Sequence, residues 1–156
     1  MGLTERIAGY AAGTDHFLAT LAAVTPENLD RHVPDGWSAR QVIHHVADSE
    51  AQSYARLRRL LAEPVGSKIQ GYDEAAWAEC SALGYRDLPV ENSVAVFRAV
   101  RHASLDVLGR IVPSDLERYG EHSEIGRYTL DRWLDVYTRH PHDHAAQLIE
   151  AINAPL

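Results

Sequence analysis

Four stretches of this chain repeat apolar residues at intervals of three and four, and that period limits the fold more than any other feature. The first, residues 3–24, carries Ile7, Tyr10, Ala11, Thr14, Phe17, Leu18 and Leu21 on one stripe, the spacing of one face of an α-helix. The second opens at Ser38, an N-cap that Gln41 completes as a capping box, with Trp37 placed to fold over the first turn. It runs to Glu63, and Pro64 stops it. The third, residues 89–112, sets Val96, Phe97, Val100, Ala103, Val107 and Ile111 on one side before Pro113. The fourth is capped by Thr129 and extends to Asn153, with Leu130, Trp133, Leu134, Tyr137, Ala145, Leu148, Ile149 and Ile152 as its apolar face. Between these lie a turn of helix from Pro26, a turn at Pro34-Asp35-Gly36, and a short helix, Glu74–Ser81, capped by Asp73 and burying Trp77. Residues 119–128 alternate too weakly for more than a small hairpin, and no strand is convincing. The expectation is one all-α domain over 1–156, a four-helix bundle with short extra helices in its connections. Those connections are longer than a bundle needs and are expected to form a lid or mouth over a site at one end.

The fourth segment also concentrates chemistry. His140, His142 and His144 are spaced two apart, and a helix turns about 100° per residue, so they cannot share a face. On a wheel His144 falls about 40° and His140 about 80° from the apolar centre, whereas His142 falls about 120° away. His140 and His144 are therefore stacked i, i+4 on an inward edge, where two imidazoles reach one cation. The competing reading is a pair of buried histidines satisfied by hydrogen bonds. Pro141 between them removes a helical hydrogen bond and clashes with the Tyr137 carbonyl, which predicts a bend or a restart at the site. The second segment holds His44 and His45, about 100° apart, so at most one serves an inward site, and periodicity does not say which. His16 and His102 point away from their helices' apolar sides. Arg56, Arg58 and Arg59 close the second segment and read as a solvated cluster favoured by the helix dipole.

Charge narrows the functional classes. A net charge of −7 argues against nucleic acid, which demands a basic face. One cysteine, Cys80, leaves no internal disulfide and suits a reducing compartment. There is no apolar run long enough to span a bilayer and no signal-peptide pattern at Met1–Arg6. A cytoplasmic protein acting on a small molecule, with neither a membrane nor a nucleic-acid partner, is the expectation.

Three blocks carry a resemblance: Gly36-Trp-Ser-Ala-Arg-Gln-Val-Ile-His-His-Val-Ala-Asp-Ser49, Gly71-Tyr-Asp-Glu-Ala-Ala-Trp-Ala-Glu79, and the histidine stretch of the fourth segment. In order and spacing they resemble the DinB-like superfamily, nearest its YfiT-like branch of metal-dependent hydrolases and bacillithiol transferases. The resemblance implies a four-helix bundle with a three-histidine divalent metal site and a homodimer. Its motif carries over to His45, His140 and His144 as ligands. This chain departs from the branch at Glu50, where a histidine is usual.

Three neutral imidazoles leave a divalent ion, zinc or nickel by ligand type, with open positions. The resemblance implies that a low-molecular-weight thiol could bind there and attack an electrophile, which is an S-transferase. Hydrolysis is the second reading, and a non-catalytic metal- or ligand-binding bundle the third. Asp48 and Glu50, about one turn from His45, are candidates to orient an imidazole from behind. Asp143 is a further carboxylate, and all three could equally be solvated helix surface. Cys80 is not expected to be a nucleophile.

Overall fold

The computed structural model describes residues 1–155; Leu156 lies outside the described residues. It has four long helices, α1 (Leu3–Thr20), α2 (Ala39–Ala62), α4 (Glu91–Leu108) and α5 (Leu130–Ile152), and a short one, α3 (Glu74–Glu79). The expected capping box is present at the start of α2: Gln41 N–H donates to the Ser38 hydroxyl, and Ser38 N–H to the Gln41 side chain at 2.9 Å. Thr129 caps α5 by accepting from Arg132 N–H at 3.1 Å, and Asp73 caps α3 through Ala76 N–H.

The helices pack in a ring: α1 on α5 and α4, α2 on α4 and α5. Sequential helices α1 and α2 are therefore diagonal, as are α4 and α5, and each of these connections must cross an end of the bundle. That crossing accounts for much of their length. The connections also hold a small sheet that the sequence did not make convincing. Strand β1 (Lys68–Ile69) pairs parallel with β2 (Tyr119–His122), which pairs antiparallel with β3 (Gly126–Thr129). Its hairpin turns in three residues, with Gly126 at φ 72°, a left-handed value glycine adopts without strain. A Cβ at Gly120 would lie 2.7 Å from both Ile69 Cδ1 and the Ser67 carbonyl, so only glycine lets β1 approach. Strands this short show little alternation, which is why periodicity could not establish them.

Two apolar clusters fill the bundle. One gathers Tyr10, Leu57, Leu60, Leu108, Leu130, Trp133, Leu134 and Tyr137; the other gathers Phe17, Val42, Ile43, Val46, Phe97, Ala145, Leu148 and Ile152. In every long helix a gap separates the two memberships. The gaps carry the buried polar residues Thr14, Ser49, Glu50, Ser53, Arg101 and Ser104. A polar layer thus crosses the bundle between its apolar halves.

Several expectations need correcting. The third helix ends at Leu108, with Gly109 as its cap, rather than at 112. Its buried face is Phe97, Arg101, Ser104 and Leu108, while Val96 is 42% exposed. An apolar count turned this helix the wrong way because its inward face holds an arginine and a serine. Ile149 of α5 is likewise 40% exposed. Residues 26–30 form turns rather than helix, and α3 ends at Glu79, with Trp77 half-buried against Tyr72.

Candidate metal centre

His140 and His144 project from one side of α5, and His45 meets them from α2. One nitrogen of each lies within 4.8 Å of the others, close enough for the three to share one ion once the rings turn onto it. The ring centroids are 4.5 Å apart for His140 and His144 and 4.7 Å for His45 and His144. Helix α5 is unbroken through Pro141, so the i, i+4 relation holds. The cluster sits at the polar layer between the two apolar clusters, not beyond one end of the bundle as the long connections suggested.

Each ring is held from behind or boxed in. His140 Nδ1 lies 3.0 Å from Glu50 Oε1, and His144 Nδ1 lies 2.7 Å from Gln147 Oε1. Each of those rings keeps its Nε2 for another partner. His45 is 2% exposed, packs against the Trp37 ring at 4.9 Å, and has a buried Nδ1 without a hydrogen-bond partner. Burial pushes His45 down to about 3, helped by the charges of His144 and His140. Burial, then His140, pushes His144 down to about 4. These two imidazoles are neutral at pH 7, the form a divalent cation requires. Closely packed neutral rings with an orphaned buried nitrogen fit a metal ion better than they fit a hydrogen-bonded core.

Glu50 is the most instructive residue here. It is fully buried between His140 and Arg101, whose Nη1 lies 3.3 Å from Oε1, and Ser53 donates to Oε2 at 3.0 Å. Burial alone would raise its carboxyl, but Arg101, His140 and Ser53 outweigh this and hold it below the usual range. Arg101 is itself 0% exposed. Its Nε donates to the Thr14 hydroxyl at 2.8 Å, and its Nη2 to the Tyr10 carbonyl at 2.6 Å. Its Nη1 also donates to the Tyr137 carbonyl at 2.6 Å. Tyr137 is four residues before Pro141, so this is the carbonyl that proline leaves without an amide donor. Arg101 supplies the missing bond, which explains how α5 stays continuous at the site. Sequence reasoning missed Arg101; a buried carboxylate and a freed helix carbonyl together demand a cation, and that was the available signal.

The other candidates sit elsewhere. Asp48 accepts a hydrogen bond from the Tyr85 hydroxyl at 2.5 Å and bonds none of the three histidines. His44 is buried with both nitrogens engaged, Nδ1 with Ser93 Oγ at 2.7 Å and Nε2 with the Leu88 carbonyl at 3.1 Å. His142 leaves the cluster and pairs with His16 across α1 and α5, Nδ1 to Nδ1 at 2.6 Å. Asp143 and Cys80 are exposed. Arg56 is not solvated as expected: it is half-buried and donates to the Tyr137 hydroxyl and the Gln70 carbonyl, each at 3.1 Å.

One cavity borders the cluster, and a second lies behind Trp37. A chamber of about 170 Å³ borders His140 and is walled by α2, α5, the 70–74 loop and the hairpin, through Ser49, Arg56, Tyr72, His122 and Tyr137. A more open cleft of about 460 Å³ is lined by Trp37, Asp30, Gln41 and Arg86. Trp37 stands between this cleft and the cluster, because the ring that lines the cleft also packs on His45.

Residues 10–148 match the DinB superfamily. The chain belongs to that superfamily. Among its DinB relatives, a protein of Oceanobacillus iheyensis named "putative metal-dependent hydrolase" is 35% identical over 83% of this chain and 73% of its own length. A Bacillus mycoides protein of the same description is 34% identical over 72% of this chain. The match spans 63% of that relative's length, so this chain covers less than two thirds of it. YfiT from Bacillus subtilis, described as "a probable metal-dependent hydrolase with an unusual four-helix bundle topology", superposes with a TM-score of 0.84 at 27% identity, over 96% of this chain and 85% of its own. A further four-helix bundle protein, at 20% identity and a TM-score of 0.65, shares the fold. Among the described residues of this DinB protein, no helix is long and apolar enough to cross a membrane.

Proposed function

We propose that His45, His140 and His144 hold one divalent metal ion, zinc or nickel, and that the protein is an enzyme transferring a low-molecular-weight thiol to an electrophilic small molecule. The observation that carries this is a three-histidine cluster with a cavity opening beside His140, which gives a small co-substrate access to the site. A divalent ion held by three imidazoles acidifies a bound thiol or water and polarises a carbonyl. The chain's own residues supply orientation. Glu50 and Gln147 fix the His140 and His144 rings through their Nδ1 atoms, as outer-sphere carboxylates and amides do around metals. Glu50 is also tied to Arg101 and Ser53, so its oxygens are already engaged by partners within the fold.

Hydrolysis is the second reading, supported by the relatives' names. Water acidified by the ion would then take the place of the thiol as the attacking group. In the thiol reaction the S–H proton would pass to solvent on binding, the thiolate sulfur of the co-substrate would form the new C–S bond, and the bond to the electrophile's leaving group would break, that group departing with the electron pair. The test is metal analysis of untagged protein followed by a panel of thiols against small electrophiles. Turnover that needs both metal and thiol supports the reading; turnover with water alone at the same rate replaces it with hydrolysis.

A further inference from the structure

The chamber beside His140 contains a cation that the fold leaves without a counter-charge. Arg56 donates through Nη1 to the Tyr137 hydroxyl and through Nη2 to the Gln70 carbonyl, yet its Nε is buried with no partner. Among the described residues it forms no ion pair. Arg6 and Arg101 have carboxylates; Arg118, also half-buried, has only the Leu60 and Glu63 carbonyls but lines no part of this chamber. A partly desolvated guanidinium with an idle N–H is costly alone and well suited to an oxyanion.

Two further donors face the same space. The Tyr72 hydroxyl is buried and has no partner; Ser49 lies near it without reaching hydrogen-bond geometry. The Tyr137 hydroxyl accepts from Arg56, and of the side chains near it only Ser49 could compete for its own proton. Burial pushes Tyr137 up to about 12 and Tyr72 above the ordinary phenol value, so both keep their protons at pH 7. The Arg56 charge is felt across the chamber, since after burial it is the next cause holding His122 below its usual range. Glu74 and Glu124, the carboxylates on the chamber lining, are both exposed, where solvent screens them.

We propose that this chamber binds the carboxylate of a small substrate, with Arg56 as its ion-pair partner and the Tyr72 and Tyr137 hydroxyls as donors, leaving the substrate's other end at His140. A cavity of about 170 Å³ holds roughly five or six non-hydrogen atoms at the ~30 Å³ that liquid water takes per molecule. The class is therefore a short-chain carboxylate, or the carboxylate end of a longer molecule. As the identity of a co-substrate this rests on the proposed thiol transfer; the anion subsite itself stands without metal.

The experiment titrates the full-length protein, chelated and metal-loaded, with 3-mercaptopropionate and with its neutral counterpart 3-mercaptopropionamide. The carboxylate is expected to bind about tenfold tighter in both states, a tenfold ratio corresponding to about 1.4 kcal/mol. Arg56→Gln should erase that preference, and Arg56→Lys should keep part of it, because an ammonium retains the charge but not the fork. Tyr72→Phe provides a milder variant should Arg56→Gln fail to fold, and it should reduce the preference about threefold while leaving amide binding unchanged. Equal affinity for the two thiols, no saturable binding of the carboxylate, or a preference that survives Arg56→Gln would each overturn the subsite. Failure of the thiol-transfer reading looks different: the carboxylate preference would persist, but loading metal would tighten neither thiol.

Discussion

Arg101 is expected to be the costliest single residue to lose outside the apolar clusters. Replacing it with Met preserves much of its length and removes every donor. Glu50 would then be a buried carboxylate with no cation, and breaking a buried pair from one side costs about 3–5 kcal/mol. The Tyr137 carbonyl would also lose its only substitute for the amide that Pro141 lacks, and an orphaned buried acceptor costs about 1–3 kcal/mol. Both contacts run through the same Nη1, so the two costs are not additive, and a total of about 4–6 kcal/mol is expected. That is a large share of the roughly 5–15 kcal/mol that holds a domain folded. Urea unfolding of the metal-free protein measures it. The companion variant Glu50→Gln, which removes the charge, should cost less alone and should recover part of the loss when combined with Arg101→Met. The coupling between the two should exceed about 1.5 kcal/mol. A single-variant loss under about 1 kcal/mol, or strict additivity in the double variant, would refute the view that Arg101 anchors both the carboxylate and the proline-broken helix.

Three other outcomes follow from the same geometry. Alanine at His45, His140 or His144 should each strip the metal from purified protein, whereas alanine at His44 or His142 should leave it; elemental analysis decides, and metal retained in His144→Ala would overturn the ligand set. Gly13→Ala should destabilise by about 1–3 kcal/mol in thermal melts, because its Cβ would stand 2.9 Å from Pro141 Cγ and 3.0 Å from the Thr138 carbonyl. Gly9→Ala, which meets only Thr138 Cγ2 at 3.5 Å, should instead gain about 0.5–1 kcal/mol of helix propensity; the same sign at both positions would contradict the packing. The metal-free protein should lose stability in acid through His45 and His144, whose folded values of about 3 and 4 lie below the 6.5 of a free histidine. The unfolded chain takes those protons first, so their contribution is complete above about pH 6.5 and is lost as pH falls toward the folded values. Urea midpoints should fall across that range, and fall less in His45→Gln/His144→Gln; parallel curves would remove these residues from the acid response.

The four helices were legible because each long segment had both a period and a punctuation mark, as at Ser38-Gln41 or Thr129. The pair His140 and His144 was legible for the same reason: spacing on a helix is geometry. What spacing could not supply was the partner of each residue. His44 and His45 differ in surroundings because one faces Ser93 and Leu88 and the other faces His144, and neither neighbour is local in sequence. Arg56 looked like a helix-end surface charge because nothing nearby in sequence announces the loop at Gln70 or the Tyr137 hydroxyl that cover it.

The error at the third helix is the most physical of these. An apolar count assumes that the buried face is the greasiest one, yet in α4 the buried face centres on a charge. That is possible because three separate liabilities cancel at one point. Proline in α5 leaves a carbonyl bare, Glu50 in α2 stands buried beside His140, and a guanidinium in α4 has five N–H groups to place. Each would be destabilising alone. Together, with the Thr14 hydroxyl and Tyr10 carbonyl of α1 taking two more of its donors, they connect all four helices at the level of the histidines. The consequence for function is that the orientation of His140 is set by the whole bundle, through Glu50 and Arg101, rather than by its own helix.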